Sequence, residues 1–176
     1  MSISRFRLLP LPSSALGKVY LHSMPGRHES WADFVEAATA AQISDIVCLT
    51  PVYEITKKSP AYEEALREKF PYKIHCFPIP DFDVPDDESK FFLFIASVAN
   101  VVRAGRHILI HCGAGIGRTG MVASCLLLAL GCSVEEVRDA VTSAGSDPAE
   151  TVDQCSFVHK LASQITRLRD LEVRPA

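Results

Sequence analysis

The sequence predicts an α/β fold in which helices flank a central, mostly parallel sheet of four to five strands. Short β-rich runs alternate with longer helical segments, which is typical of βαβ units. The apolar run from Ile108 to Ile110 indicates a central strand covered on both faces. The segment Gly117–Leu130 is apolar nearly all round, which favours a helix buried at the centre. The 176 residues contain no Gly/Ser-rich linker, so we expect a single domain over residues 1–176.

The other elements are predicted from local signals, chiefly capping residues at helix starts and glycine at helix ends. The predicted strands are Lys18–His22, Asp45–Thr50, Tyr72–Phe77 and His107–Cys112. The predicted helices start at Ser30, at Ser59-Pro60, at Asp86 or Asp87 before the Phe91–Val102 stripe, at Gly117, and at two capping boxes, Ser133 with Glu136 and Asp147 with Glu150. The last helix is expected to bury Val158, Leu161, Ala162, Ile165 and Leu168.

The composition is that of a soluble globular protein, with 48% hydrophobic and 22% charged residues. The formal net charge of −3 provides no global basic field, so we expect neither nucleic acid nor membrane as a partner. The apolar stretches Phe91–Val102 and Met121–Leu130 are shorter than the roughly 18–20 residues that span a bilayer. No segment resembles a signal peptide, and we predict a cytoplasmic protein.

Six cysteines are scattered along the chain without a C-x-x-C pair or a partnering histidine spacing. They are Cys48, Cys76, Cys112, Cys125, Cys132 and Cys155. This pattern favours neither a structural zinc site nor a disulfide framework. We expect no metal and no cofactor, and most of these cysteines should be small core residues.

The stretch His111–Gly120, with the sequence HCGAGIGRTG, joins the predicted buried strand to the predicted buried helix. Its glycines allow a tight loop whose backbone N–H groups turn inward. Such a loop at a helix N-terminus is an anion site of phosphate size. Cys112 would lie at its centre, where the helix terminus and cationic neighbours lower a thiol pKa and favour the nucleophilic thiolate. Arg118, six residues later, would bring a guanidinium that binds two phosphoryl oxygens at once.

The loop Cys112–Arg118 resembles the C-x5-R loop of the cysteine-based protein tyrosine phosphatase superfamily, with Gly113 where the larger members usually have serine. The chain length and remaining sequence resemble the small dual-specificity class, particularly the kinase-associated phosphatase type, from about Gly17 to the last helix. The resemblance implies the protein tyrosine phosphatase fold. It also implies that His111 orients the loop and lowers the nucleophile's pKa, and that Thr119 eases departure of the thiolate. The phosphoryl group would be bound by Gly113, Ala114, Gly115, Ile116, Gly117 and Arg118.

A general acid is expected on the acidic loop Pro80–Glu88, because a phosphoester oxygen leaves poorly unless it is protonated. This loop resembles the family's W-P-D-x-G-x-P segment, and Pro80, Asp81 and Pro85 match it. The match selects Asp81 as the acid over Asp83, which stands where glycine is usual. Ile79 takes the place of the tryptophan.

The segment Glu150–Gln154 resembles the family's Q-T-x-x-Q segment, whose glutamines position the hydrolytic water. Gln154 matches the second glutamine and Glu150 replaces the first. Glu150 has two interpretations: it faces the site, where its charge would repel phosphate, or it only completes the capping box with Asp147.

The predicted function is a protein tyrosine or dual-specificity phosphatase that acts through a phosphocysteine on Cys112, with phosphorylated protein or peptide as substrate and phosphotyrosine favoured. One alternative is the same chemistry on a phosphoinositide, inositol phosphate or RNA 5′-phosphate, although residues 113–117 lack the lysines of lipid and inositol versions. Lys57, Lys58 and Lys73 are candidates for the pocket rim. A second alternative is a phosphoprotein-binding module with weak catalysis. A disulfide between Cys112 and Cys48 or Cys76 is a further hypothesis.

Overall fold

The computed structural model describes residues 6–68 and 70–172, with side chains as far as residue 167. Five strands form one sheet in the order β1-β2-β5-β3-β4, in which β1 is antiparallel to β2 and the other neighbours are parallel. The strands are β1 (Arg7–Leu9), β2 (Val19–His22), β3 (Asp45–Cys48), β4 (Lys73–Cys76) and β5 (Ile108–His111). The predicted fold class is therefore confirmed, and the four predicted strands are each slightly shorter than expected.

Seven helices are found among the described residues. They are α1 (Trp31–Ala40), α2 (Val52–Lys58), α3 (Pro60–Arg67), α4 (Glu88–Arg103), α5 (Gly117–Leu130), α6 (Val134–Ser143) and α7 (Val152–Glu172). The predicted caps at Ser30, Ser59 and Asp87 each accept a backbone N–H, and Ser133 with Glu136 forms the predicted capping box. None of the described helices is both long enough and apolar enough to cross a membrane.

The predicted capping box of Asp147 with Glu150 is wrong. The Asp147 carboxylate accepts the N–H of Ala149 in a local turn, and α7 begins only at Val152. The Thr151 hydroxyl instead accepts the N–H of Gln154 at 3.2 Å. The turn satisfies Asp147 locally, so Glu150 is not required as a helix cap.

The core lies on both faces of the sheet. Helices α4 to α7 cover one face, where α5 is buried at all but one of its positions. On this side α7 contributes the predicted Val158, Leu161, Ala162 and Ile165, and Leu168 lies outside the described side chains. Helices α1 to α3 cover the other face through two smaller apolar clusters. The carboxyl end of β5 thus enters a loop that leads directly into the most buried helix.

Candidate active site

The loop between β5 and α5 surrounds a buried sulfur. Cys112 is 3% exposed, and its Sγ accepts the N–H of Gly115 at 3.2 Å. Gly115 has a φ of +77°, and a Cβ there would lie 2.3 Å from the carbonyl oxygen of His22. Only glycine fits this position, which keeps the amide of Gly115 directed at the sulfur. The predicted nest therefore has at least one amide on Cys112.

The carbonyl groups of the loop are bonded from outside. Arg27 donates to the Gly113 carbonyl at 2.7 Å, and Arg7, on β1, donates to the Gly115 carbonyl. Ser146 donates to the carbonyl of Ile116 at 3.0 Å. Because the carbonyls bond outward, the N–H groups are left for the interior of the loop, as an anion site requires.

His111 is fully buried next to the sulfur-bearing residue. Its Nε2 lies 3.0 Å from the hydroxyl of Tyr62, and its Nδ1 lies 3.4 Å from the Cys112 carbonyl oxygen. The imidazole is therefore fixed on both sides, which fits the orienting role that the resemblance implies.

Thr119, in the first turn of α5, is also fully buried. Its hydroxyl has no hydrogen-bond partner within the described residues. Buried polar groups are nearly always bonded, so an unbonded hydroxyl on the residue that directly follows the loop marks a functional candidate.

Arg118 is held by two carboxylates. Its Nη1 and Nη2 donate to Glu54 at 2.8 and 2.9 Å, and Nη1 also donates to the carbonyl of Ile79 at 2.9 Å. The Asp81 carboxylate lies 2.8 Å from Nη2. Within the described chain, the buried Nε of Arg118 has no partner. The guanidinium is thus rigidly oriented and keeps one donor free for an incoming anion.

Glu54 is a site residue that the sequence analysis missed. It is 5% exposed, and Lys58, one turn along α2, also donates to its carboxylate. Burial alone would raise the pKa of Glu54, but the hydrogen bonds from Arg118 and Lys58 lower that pKa to about 2. The available signal was the spacing of Glu54 and Lys58, which puts opposite charges four residues apart on one helix face.

Gly113 provides the space for this ion pair. A Cβ on Gly113 would lie 2.8 Å from Oε1 of Glu54, 3.1 Å from Nζ of Lys58 and 3.2 Å from Nη2 of Arg118. Glycine at position 113, where the larger phosphatases usually have serine, therefore leaves the room that the ion pair of Glu54 with Lys58 and Arg118 occupies.

Asp81 and Asp83, the two candidates for the general acid, differ in position relative to the cavity. Asp81 lines the cavity above Cys112 and is bonded to Arg118. Asp83 instead accepts the N–H of Val84, the next residue, at 2.8 Å. A tight turn joins the Pro80 carbonyl to the N–H of Asp83, with Phe82 at a φ of +62° inside it. This turn directs only the first of the two carboxylates into the cavity.

The cavity has a volume of about 130 Å³, enough for a phosphate group and a water molecule. Of the lysines considered for the rim, Lys58 lines it, whereas Lys73 begins β4 at the opposite end of the sheet. Lys57 is not part of the lining. The lining residues are Arg27, Lys58, Asp81, Phe82, Cys112, Ala114, Gly117, Arg118 and Glu150.

Glu150 and Gln154 have different positions. Glu150 is one of the residues that line the cavity, and it does not complete a capping box with Asp147. Gln154 is fully buried, and both ends of its carboxamide bind protein. Its Oε1 accepts the N–H of Glu150 at 3.0 Å, and its Nε2 donates to the carbonyl of Asp83 at 3.2 Å. Gln154 thus joins the acid loop to the segment before α7.

The hypothesis of a disulfide with Cys112 is not favoured by the fold. Cys48 is in register with both Cys76 and His111, and residues in register share a face of the sheet. Cys48 packs in the cluster beneath α2 and α3, whereas Cys112 packs in the core beneath α4 and α5. The sheet therefore lies between these sulfur atoms.

Comparison with known families and structures agrees with this geometry. The family described as the Swiss Army Knife protein, DSP-PTPase phosphatase domain, matches residues 14–172. The chain belongs to this family. The predicted resemblance to small dual-specificity phosphatases is thereby confirmed. The chain is 28% identical over 133 residues to cyclin-dependent kinase inhibitor 3 of Rattus norvegicus, covering 74% of this chain and 62% of that protein's length.

Solved structures share the fold. Kinase associated phosphatase with its catalytic cysteine replaced by serine has a TM-score of 0.78 at 22% identity, covering 94% of this chain and 98% of the other. Tk-PTP in the active form has a TM-score of 0.68 at 27% identity, covering 86% of this chain and 98% of the other. The fold around the loop is therefore that of a protein tyrosine phosphatase.

Proposed function

We propose that this protein is a cytoplasmic, cysteine-dependent phosphatase that hydrolyses phosphomonoesters on protein, with phosphotyrosine favoured. The observation that carries the proposal is the cavity that Cys112, Arg118 and Asp81 line together, with the Nε of Arg118 unbonded among the described residues. A nucleophile, an anion clamp and a proton donor are the three groups that phosphoryl transfer through a covalent intermediate needs.

In the first step, the Cys112 thiolate attacks phosphorus while the bond from phosphorus to the leaving oxygen breaks. Protonated Asp81 supplies the proton that this oxygen takes. The phosphoryl oxygens bind the loop amides and Arg118, and they replace the Asp81 carboxylate on the guanidinium. His111, held by Tyr62, orients the loop.

In the second step, water attacks phosphorus, the bond from phosphorus to sulfur breaks, and Cys112 leaves as the thiolate. Asp81, now a carboxylate, takes the proton from water. Thr119 stabilises the departing sulfur through its unbonded hydroxyl. Glu150 lines the cavity, and Gln154 fixes its backbone through the hydrogen bond from the Glu150 N–H.

Two features favour a phosphotyrosine substrate. Phe82 lines the cavity with 60% of its surface exposed, so an aromatic ring is available to a substrate ring. The loop residues 113–117 carry no lysine, which favours a substrate with a single phosphate over an inositol phosphate.

The test is phosphate release in EDTA from matched phosphotyrosine, phosphoserine and phosphothreonine peptides, a phosphoinositide and an RNA 5′-phosphate. Cys112→Ser is the control, since it keeps the loop and removes the nucleophile. We expect turnover that requires Cys112 and is fastest on phosphotyrosine. Faster turnover of the phosphoinositide or the RNA 5′-phosphate would keep the mechanism and show that the substrate is not a phosphoprotein. Binding of phosphopeptides without turnover by the wild-type protein would make it a capture module.

A further inference from the structure

Among the acidic residues that line the cavity, Asp81 is paired with a cation, whereas Glu150 has no cationic partner in the described part of the chain. Arg118 is bonded to Glu54 and Asp81, Lys58 is bonded to Glu54, and Arg27 donates to a loop carbonyl. The Glu150 carboxylate forms neither a hydrogen bond nor an ion pair with any side chain in the described part of the chain.

The position of Glu150 is nevertheless fixed. Its backbone N–H is bonded to the fully buried Gln154. Its side chain lies against the start of α5, because a Cβ placed on Gly117 would be 2.0 Å from its Oε2 and 2.9 Å from its Cβ. The carboxylate is therefore held at the junction between the phosphate loop and α5, within the wall that a bound phosphoryl group would face.

The cations that line the cavity, Arg27, Lys58 and Arg118, are bonded to groups other than this carboxylate. Neither residues 74–89, which contain the acid loop, nor residues 139–159, which contain Glu150, include a lysine or arginine. Gln154 also binds the backbone carbonyl of Asp83, so the segment that carries Glu150 is joined to the acid loop.

A phosphorylated residue that enters this cavity places its negative charge near the unpaired carboxylate of Glu150. Repulsion weakens binding unless the substrate itself brings a positive charge to the Glu150 side. We propose that Glu150 is a specificity-determining residue that selects phosphorylated residues flanked by a lysine or arginine. This proposal rests on the proposed phosphatase function.

The experiment compares three phosphotyrosine peptides that differ only in the residues next to the phosphotyrosine, which are lysine, alanine or glutamate. The wild-type protein should rank them lysine, alanine, glutamate in kcat/KM, with about two- to fivefold between neighbours, as expected for an exposed ion pair. The ranking should diminish at high salt.

Glu150→Gln should remove the ranking and Glu150→Lys should reverse it, so the result does not depend on one variant folding. Asp153→Asn is the matched control, because Asp153 is an exposed acid one turn away that does not line the cavity. This control should keep the wild-type ranking.

A ranking that survives in both Glu150 variants, or a wild-type protein that does not distinguish the peptides, would overturn the proposal. Turnover of p-nitrophenyl phosphate, which has no flanking residues, is measured in parallel. Cys112-dependent turnover of this ester without a ranking refutes only the role of Glu150. Absence of turnover on every substrate refutes the proposed function and the specificity with it.

Discussion

Gly113 illustrates how one missing side chain permits a buried ion pair. Three charged atoms, from Glu54, Lys58 and Arg118, lie within 3.2 Å of the place where a Cβ would be. Lys58 and Arg118 both donate to the same Glu54 oxygen, so none of the three atoms moves without disturbing a charge-assisted hydrogen bond. The orientation of Arg118 therefore depends on a residue that has no side chain.

Gly113→Ala should lower kcat/KM about tenfold or more, because the added methyl group would displace the side chains that orient Arg118, and misplacing a positioning group by about 1 Å can cost about 10²-fold in rate. Steady-state kinetics on a phosphotyrosine peptide measures the effect. Glu54→Ala removes the group nearest to the new methyl, so adding Gly113→Ala to Glu54→Ala should cost much less than adding it to wild type. Equal costs in the two backgrounds would mean that the glycine serves another purpose.

The two acids of the loop after β4 should differ greatly in effect. Asp81→Asn removes the proton donor that lines the cavity and should lower kcat by about 10²- to 10⁴-fold, with a smaller effect on phosphate affinity. Asp83→Asn keeps an oxygen that can accept the N–H of Val84, so its kcat should stay near the wild-type value. The kcat values of the two variants measure this difference. A larger loss in Asp83→Asn would reassign the general acid.

At the scale of elements, Gln154 connects two segments that approach the cavity from different parts of the chain. It bonds the acid loop through Asp83 and the segment before α7 through Glu150. Because both ends of the carboxamide are used, we expect Gln154 to act as a positioning residue for the acid loop rather than on water directly.

Gln154→Ala distinguishes these two roles. Loss of loop positioning should slow phosphotyrosine hydrolysis more than p-nitrophenyl phosphate hydrolysis, because the nitrophenolate leaves with little help from an acid. Loss of a water-positioning group should slow both substrates equally and accumulate phosphocysteine. Pre-steady-state bursts and the ratio of the two rates decide between them. Gln164→Ala, a half-buried residue of α7 that does not line the cavity, is the control.

The helices and strands that were predicted correctly are those marked by residues within the element itself, such as capping residues and an apolar pattern. The bounds of α5 agree with prediction because glycine marks both of its ends and its interior is uniformly apolar. Two elements were not predicted. They are β1, an edge strand of three residues, and α2, whose first two residues are exposed and apolar. Both carry site residues, Arg7 and Glu54, whose roles depend on contacts with residues more than 60 positions away. Periodicity carries no information about such contacts.

At the scale of the whole molecule, the buried pair of Glu54 and Arg118 joins α2 to α5, and Arg118 extends the connection to the acid loop through Ile79. These elements lie on opposite sides of the sheet, and they meet only at its carboxyl edge. Stability and activity are therefore linked through one carboxylate, and the link has a defined pH dependence.

The pKa of Glu54 falls from an ordinary 4.5 to about 2 in the folded protein. A carboxyl group with a lowered folded pKa stabilises the protein fully above its unfolded pKa, and the stabilisation is lost as pH falls through the folded value. Its contribution should thus be complete at pH 6 and decline between about pH 4.5 and pH 2. Glu54→Gln, which leaves Arg118 with a neutral partner, should cost about 3 kcal/mol at pH 6.

Urea unfolding of wild type and Glu54→Gln at pH 6 and pH 3 measures this dependence, with Glu64→Gln, an exposed residue of α3, as the control. The difference in unfolding free energy between wild type and Glu54→Gln should shrink at pH 3, because there the unfolded chain binds a proton on Glu54 and the folded protein, with a pKa of about 2 for this group, does not. An unchanged difference would mean that Glu54 contributes shape rather than charge. In that case, the orientation of Arg118 should also survive in Glu54→Gln, and phosphate affinity would be unaffected.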